Sequence, residues 1–288
     1  MRRMDRMNPI AMTVYFMCAA FICLVRQDAV LLVLFLAGAV STFFLYGKQK
    51  GGHGFSLLLF FGLALINPLI SHKGVTVLFV MNHNPVTLEA LLYGIFAGGM
   101  IVSSLYWFRT YSQLMTSDKL LYLFGALSPK LSLVLSMAMR YVPLFGRQVR
   151  KVHEAQTAAG LYKDDNLPDR IRGGTRIFSV MVTWALENGI TTADSMVARG
   201  YGLQKRSRYA LFTWQKGDIA LMLSSLTLSV LCLFLLKGAA FTFYPALRFT
   251  PGAYPPVYGY LCYGLLMLIP SIIHVKEAIR WRCLMSGM

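Results

Sequence analysis

The chain has 288 residues, 56% of them hydrophobic and only 14% charged, with a formal net charge of +16. A soluble domain carries about 25% charged residues, so an ordinary water-soluble domain is excluded and an integral membrane protein is expected. The 28 Lys and Arg against 12 Asp and Glu flank apolar runs and form no separate basic domain, which argues for membrane orientation and against nucleic-acid binding.

The basic start (Arg2, Arg3, Arg6) leads into an apolar run, as a cleaved signal peptide does. No small-residue cleavage site stands out and further runs follow, so the first run is expected to be a retained helix. A span needs about 20 apolar residues, and six candidates occur at 10–25, 29–46, 55–70, 86–108, 218–236 and 257–273. The first and third are slightly short and should borrow flanking residues or sit in thinned bilayer. The stretch Val75 to Met81, ending at Asn82-His83-Asn84-Pro85, reads as a loop or re-entrant fragment. With six spans and the N-terminus inside, 24 basic residues fall inside and four (Arg26, Lys73, Lys237, Arg248) outside. Both termini are therefore expected in the cytoplasm.

The fold class expected is all-α: a polytopic membrane protein with about six transmembrane helices and a cytoplasmic amphipathic platform. Its parts are an N-terminal transmembrane region (1–108), a cytoplasmic or interfacial coupling region (109–216) and a C-terminal transmembrane region (217–288).

Three amphipathic stretches are legible in the central segment. The first, Ser117 to Leu127, starts with a candidate cap at Ser117-Asp118 and is broken by Ser128-Pro129. The second, about Lys130 to Ala159, has a narrow stripe at Val142, Phe145, Val149, Val152, Gln156 and Ala159, a kink expected at Pro143 and a stop at Gly160. The polar stretch Leu161 to Gly174, with Asp164, Asp165, Pro168, Gly173 and Gly174, reads as an exposed linker. The third, Thr175 to Leu203, has a stripe at Ile177, Val180, Met181 and Trp184. A break is expected near Asn188-Gly189, with Thr191 or Thr192 capping a second helix. Two helices thus end in similar triplets: Ala158-Ala159-Gly160 and Ala198-Arg199-Gly200. From these residues alone, the platform suits anionic lipid or a protein partner.

Other chemistry-bearing residues are dispersed. Cys18, Cys23, Cys232, Cys262 and Cys283 show no CxxC spacing and suggest neither a disulfide framework nor a zinc site. His72 and His83 share an outer loop without a carboxylate, and His53, His153 and His274 are scattered. Glu89 and Asp218 begin helices, where a carboxylate is favoured electrostatically. Gly51-Gly52-His53-Gly54 lacks the Lys-Ser or Lys-Thr of a phosphate loop, so any ATP is expected to be bound elsewhere. The Gly94-xxx-Gly98 spacing, with Gly99, suits close helix approach, either inside the chain's own bundle or against another membrane protein.

The segment from Thr116 to Lys216 resembles the transmembrane T component of energy-coupling factor (ECF) transporters, ATP-driven importers of vitamins and metals. The pieces stand in family order: Met115-Thr116-Ser117, Ala138-Met139-Arg140-Tyr141-Val142-Pro143-Leu144, and Glu154-Ala155-Gln156 through Gly160. Then come Ala193-Asp194-Ser195-Met196, Ala198-Arg199-Gly200-Tyr201-Gly202 and Arg208-Tyr209. The resemblance covers about a third of the chain by motif.

The resemblance implies a non-catalytic subunit. Two ABC-type ATPase subunits would bind ATP and magnesium, a small membrane S component would capture the substrate, and this chain would couple them with no cofactor of its own, in a prokaryotic cell membrane. In that family an arginine in each of two Ala-Arg-Gly motifs docks into a groove on an ATPase. The role falls here to Arg199, between Ala198 and Gly200, where a guanidinium can pair with a carboxylate by two hydrogen bonds. The first motif departs from the pattern: Ala158-Ala159-Gly160 has alanine where the arginine belongs. Docking there is left to apolar contact or to Arg150 and Lys151. Alone, Arg199 would read as a cation favoured in a last helical turn. Arg140, with Pro143 at the kink, suits either headgroup contact or support of the coupling helices. The rival readings are a stand-alone secondary transporter, which lacks ionisable residues mid-span, an intramembrane enzyme, which lacks a reactive cluster, and a scaffold for another cytoplasmic partner.

Overall fold

The computed structural model describes residues 7–26, 28–46, 53–70, 76–81, 84–161, 166–203, 212–238, 240–242, 248–250 and 255–286. The helices are α1 (Pro9–Val25), α2 (Ala29–Tyr46), α3 (His53–Ile70), α4 (Leu88–Leu114), α5 (Ser117–Leu127), α6 (Pro129–Ala158), α7 (Leu167–Ala198), α8 (Lys216–Leu235) and α9 (Pro256–Ser286). Strands β1 (Val77–Met81) and β2 (Asn84–Thr87) precede α4, and β3 (Ala240–Thr242) and β4 (Arg248–Thr250) lie between α8 and α9. The chain divides into two compact units, one from 1–120 with 212–288 and one from 121–211.

All six apolar runs are helical. α2, α4, α8 and residues 256–280 of α9 are long and apolar enough to cross a membrane, while α1 and α3 are shorter apolar helices. The chain is thus a multi-pass membrane protein of the all-α class, whose described residues add two small strand pairs. Along α1, Ala11, Met12, Tyr15, Ala19 and Ile22 are fully buried, whereas Phe21 and Leu24 are exposed. That division is the mark of a helix packed on one side and facing lipid on the other. Asn8 caps α1 by accepting from the Ile10 amide (3.0 Å), and Pro9 occupies a position whose amide needs no partner.

The buried centre of the first unit forms around Trp107 of α4. Its indole donates to the Phe16 carbonyl (3.0 Å), and Tyr15, Phe16 and Phe35 surround it with ring centroids 5.9, 4.7 and 5.4 Å away. Three buried tyrosines tie helices together through main-chain acceptors: Tyr15 to Leu266, Tyr263 to Ala19 and Tyr46 to Pro270. The first has a clear cause. Pro270 lies inside α9 and has no amide hydrogen, so the carbonyl four residues earlier, Leu266, loses its intrahelical donor. The Tyr15 hydroxyl replaces it at 3.2 Å. Tyr15→Phe should therefore lower stability in detergent by about 0.5–2 kcal/mol. Pro270→Ala, which restores the amide, should recover much of that loss; equal melting temperatures for Tyr15→Phe with and without Pro270→Ala would contradict the pairing.

The glycine face of α4 is used inside the chain. A Cβ on Gly94 would lie 2.9 Å from the Ala64 carbonyl oxygen of α3, one on Gly98 3.1 Å from the Phe60 carbonyl, and one on Gly99 3.2 Å from Leu32 of α2. Of the two uses open to that face, packing within the bundle is the one observed. The Asn67 side chain adds a hydrogen bond to the Ala90 carbonyl (2.8 Å).

The stretch expected as a loop or re-entrant fragment is instead one strand of a hairpin. β1 pairs antiparallel with β2, Val77 opposite Thr87 and Met81 opposite Asn84, so main-chain groups that a loop would leave open find partners. Glu89, at the start of α4, accepts from the Thr76 hydroxyl (2.8 Å) and amide. Asp218 accepts from the Gln215 amide (3.0 Å) in a capping box that opens α8. Both carboxylates thus sit at helix starts, as the sequence indicated. β3 and β4 form a second antiparallel pair.

Candidate functional site

The second unit is built from α6 and α7 together with the end of α5 from Leu121 on. Ser128 precedes α6 and Pro129 opens it, so the expected break is where one helix yields to the next. α5 has the expected bounds, with the Thr116 carbonyl taking its first backbone bond, from Leu120. α6 runs unbroken through Pro143.

α7 departs from the sequence reading. The expected linker reaches only to Asn166 among the described residues, with 162–165 outside them, and Pro168, Gly173 and Gly174 belong to the helix. Proline in the first turn costs no hydrogen bond, and the buried Gly173 is a packing position. The break at Asn188-Gly189 is absent as well. The Thr191 and Thr192 hydroxyls donate back to the Glu187 and Asn188 carbonyls (2.7 Å each), and the Asn188 amide donates to Trp184 (2.9 Å). Side chains that can cap a helix are here spent inside one.

α6 and α7 meet in opposite directions. The Tyr141 hydroxyl lies 2.8 Å from that of Thr192, and Phe145 meets Trp184 edge to face at 5.4 Å. Nearer the connection, Arg176 donates to the Leu161 carbonyl (3.2 Å). Gln156 and Met181 are buried in this unit and Val152 is half-buried. The expected stripe on α6 is therefore shifted: Val142 (68% exposed) and Val149 (39%) are open, and Tyr141 belongs to the covered line. On α7, Ile177, Met181 and Trp184 are covered as expected, and Val180 is exposed.

The ends of the two helices have the same geometry. At α6, the Gly160 amide donates to Thr157 (3.0 Å) and the Leu161 amide to Gln156 (2.9 Å). At α7, the Gly200 amide donates to Val197 (2.9 Å) and the Tyr201 amide to Met196 (3.0 Å). Both are Schellman closures, which require a left-handed residue after the cap, and Gly160 and Gly200 supply it at φ +68° and +82°. The cap residues match too: Ala159 at φ −76°, ψ −3° and Arg199 at φ −83°, ψ 7°. Ala159 therefore holds the backbone station that Arg199 holds at the other end.

Ala158, Ala159, Gly160, Ala198 and Arg199 are exposed and Gly200 is half-exposed. Ala159 lies fourteen residues beyond Phe145 and Arg199 fifteen beyond Trp184, about 21 and 22 Å of helix rise on either side of that contact. The arrangement presents two small-residue tips pointing away from a shared crossing, one bearing a guanidinium. Arg140, Pro143, Arg150 and Lys151 are exposed on α6. Tyr141, which belongs to the Ala138–Leu144 motif but not to the expected stripe, is the residue beside Arg140 that meets α7; its spacing of four from Phe145 was the available signal. Arg208 and Tyr209, like His72 and His83, lie outside the described residues. Among the described residues no three His, Cys, Asp or Glu come together as a metal site.

Because an alanine Cβ disfavours the left-handed region by roughly 1–2 kcal/mol, Gly160→Ala and Gly200→Ala should each loosen the closing turn. Amide exchange at Leu161 or Tyr201 should accelerate about five- to thirty-fold, with the spans unaffected. Unchanged exchange would show that these bonds do not depend on glycine.

Comparison with known proteins agrees with this architecture. A relative from Bacillus subtilis, the energy-coupling factor transporter transmembrane protein EcfT, is 24% identical over 251 residues, covering 81% of this chain and 92% of its own length. EcfT of Listeria innocua is 31% identical over 108 residues, 37% of this chain and 41% of the relative. EcfT 1 of Listeria monocytogenes is 30% identical over 91 residues, 31% of this chain and 34% of the relative. The chain thus spans about a third to two fifths of the length of these two Listeria relatives. The family model CbiQ, cobalt transport protein, matches residues 2–210, a stretch that takes in α1 to α7 and both helix tips, and the chain therefore belongs to the CbiQ family.

Proposed function

We propose that this chain is the scaffold and energy-coupling transmembrane subunit, the T component, of an ECF-type importer. The observation that carries the reading is the pair of exposed, identically closed helix ends on one antiparallel unit, Ala158-Ala159-Gly160 and Ala198-Arg199-Gly200. Each tip is small enough for close approach, and one offers a fork-shaped cation to a carboxylate. In this reading two ABC-type ATPases receive the tips and hydrolyse ATP with magnesium. Their closure moves α6 and α7, and a substrate-binding S component in the bilayer reorients in response. The chain itself performs no catalysis and holds no cofactor. It lies in a prokaryotic plasma membrane with both termini and the second unit in the cytoplasm, consistent with the excess of basic residues there.

The test is affinity purification of the tagged full chain in mild detergent from its own host. ATPase subunits together with a small hydrophobic protein are the expected companions. Recovery of the chain alone, or with an unrelated soluble protein, would refute the proposal.

A further inference from the structure

A cavity of about 110 Å³ lies in the membrane unit between α2 and α4. On α4 it is lined by Tyr93, Phe96, Ala97 and Met100, spaced three and four apart along one helix face over about 10 Å of rise. Across from them stand Asp28 and Leu32, one turn apart where α2 begins, with the Leu32 amide donating to the Asp28 carbonyl (3.0 Å). The two helices are close at this level, since a Cβ on Gly99 would lie 3.2 Å from Leu32. Tyr93 is 44% exposed, so the α4 wall of the cavity reaches the surface that faces lipid.

Among the described residues lining the cavity, Asp28 is the one that carries charge, and it is only 5% exposed. A carboxylate at the edge of an otherwise apolar cavity favours a cation, and the apolar walls favour an alkyl chain. Arg26, whose carbonyl accepts from the Asp28 amide (2.8 Å), brings a guanidinium to the same end of α1 and ties it to α8 through the Leu236 carbonyl. Both signs of a zwitterionic headgroup thus have a counterpart at this end of the spans, where headgroups lie.

We infer that the cavity is a binding site for an aminophospholipid. Its primary ammonium donates to Asp28, its phosphate lies on the Arg26 side, and part of one acyl chain fills the space against Phe96, Ala97 and Met100. The volume suits a stretch of chain, because an apolar cavity of about 150 Å³ takes benzene. A choline headgroup is a poorer match: its nitrogen carries no hydrogen to donate, whereas an ammonium forms charge-assisted hydrogen bonds with a carboxylate.

The experiment titrates the tagged full chain in mild detergent with phosphatidylethanolamine, phosphatidylcholine or phosphatidylglycerol of identical acyl chains and counts retained lipid by native mass spectrometry. Wild type should retain one phosphatidylethanolamine about tenfold more tightly than either other lipid. Asp28→Asn should abolish that preference; asparagine is as good a residue as aspartate at the start of a helix, so the fold is kept. Ala97→Leu, which puts a side chain into the cavity, should weaken retention of the ethanolamine lipid about tenfold, and monodisperse elution checks both variants. Equal retention of the ethanolamine and choline lipids by wild type, an unchanged preference in Asp28→Asn, or unchanged retention in Ala97→Leu each overturns the site. Glycerophosphoethanolamine, the headgroup without chains, should bind far more weakly; equal binding would overturn the assignment to a lipid.

Discussion

Arg199→Glu is expected to strip ATPase activity from the purified complex by roughly thirtyfold or more while the spans remain folded. Truncating one partner of a desolvated charge pair costs about 2–5 kcal/mol, and reversing its sign adds repulsion. The side chain is exposed at the end of α7 and takes no part in the closing bonds, which run between main-chain groups at Ser195, Met196 and Val197 and those at Arg199, Gly200 and Tyr201. The change therefore leaves the helix and the Phe145–Trp184 contact undisturbed. Arg199→Lys should fall between the two, because an ammonium keeps the charge and loses the planar fork. The measurement is ATPase activity recovered per mole of tagged chain, with helicity and elution volume as folding controls. Wild-type activity in Arg199→Glu would remove the arginine from the docking surface.

Gly94→Leu should be the most damaging single change within the membrane unit. A Cβ at this position would already lie 2.9 Å from the Ala64 carbonyl oxygen, 3.1 Å from the Asn67 Cβ and 3.3 Å from the Ala64 Cα. Two of these are main-chain atoms, which cannot rotate aside, so α3 as a whole has to move. Pro68 deepens the constraint: it removes the amide that would bond the Ala64 carbonyl inside α3. That oxygen instead faces the place a Gly94 Cβ would fill. Over-packing costs about 1–3 kcal/mol when side chains can yield, and more when backbones must. Gly62→Leu is the control, since nothing lies within 4 Å of a Cβ there. Gly38→Ala tests the distinction differently: a Cβ there would meet the Met267 Sδ at 2.7 Å, which can swing away, and its Cβ at 3.0 Å, which has to give by a few tenths of an ångström. Thermal melts in detergent should rank Gly94→Leu far below both; near-equal melting temperatures would refute tight α3–α4 packing.

What the sequence could disclose follows the range of the interactions. Runs of apolar residues declared the membrane helices, and Ser128-Pro129 and Gly160 marked real boundaries, because each acts through its own backbone. Asn188, Gly189, Thr191 and Thr192 misled, since their capping chemistry is local but its use depends on what surrounds it. In α7 the side chains of Asn188, Thr191 and Thr192 bond to carbonyls of the same helix, and the helix continues through Gly189. The hairpin at Val77 to Thr87 was equally hidden, because short strands next to a span look like any polar-edged connection. The tips were legible as triplets, whereas the equivalence of Ala159 and Arg199 became visible only from dihedral angles and closing bonds. Tyr15 and Leu266 could not be paired from sequence at all: the acceptor exists because of Pro270, and the donor comes from 251 positions away.

That last bond has a bearing on biogenesis. A ribosome delivers α1 to the bilayer well before α9, so the Leu266 carbonyl and the Ala19 carbonyl meet their hydroxyls, from Tyr15 and Tyr263, only when the last helix arrives beside the first. Until then the tyrosine-bearing side of α1 is an incomplete surface in the lipid, and a chain interrupted before α9 carries it permanently.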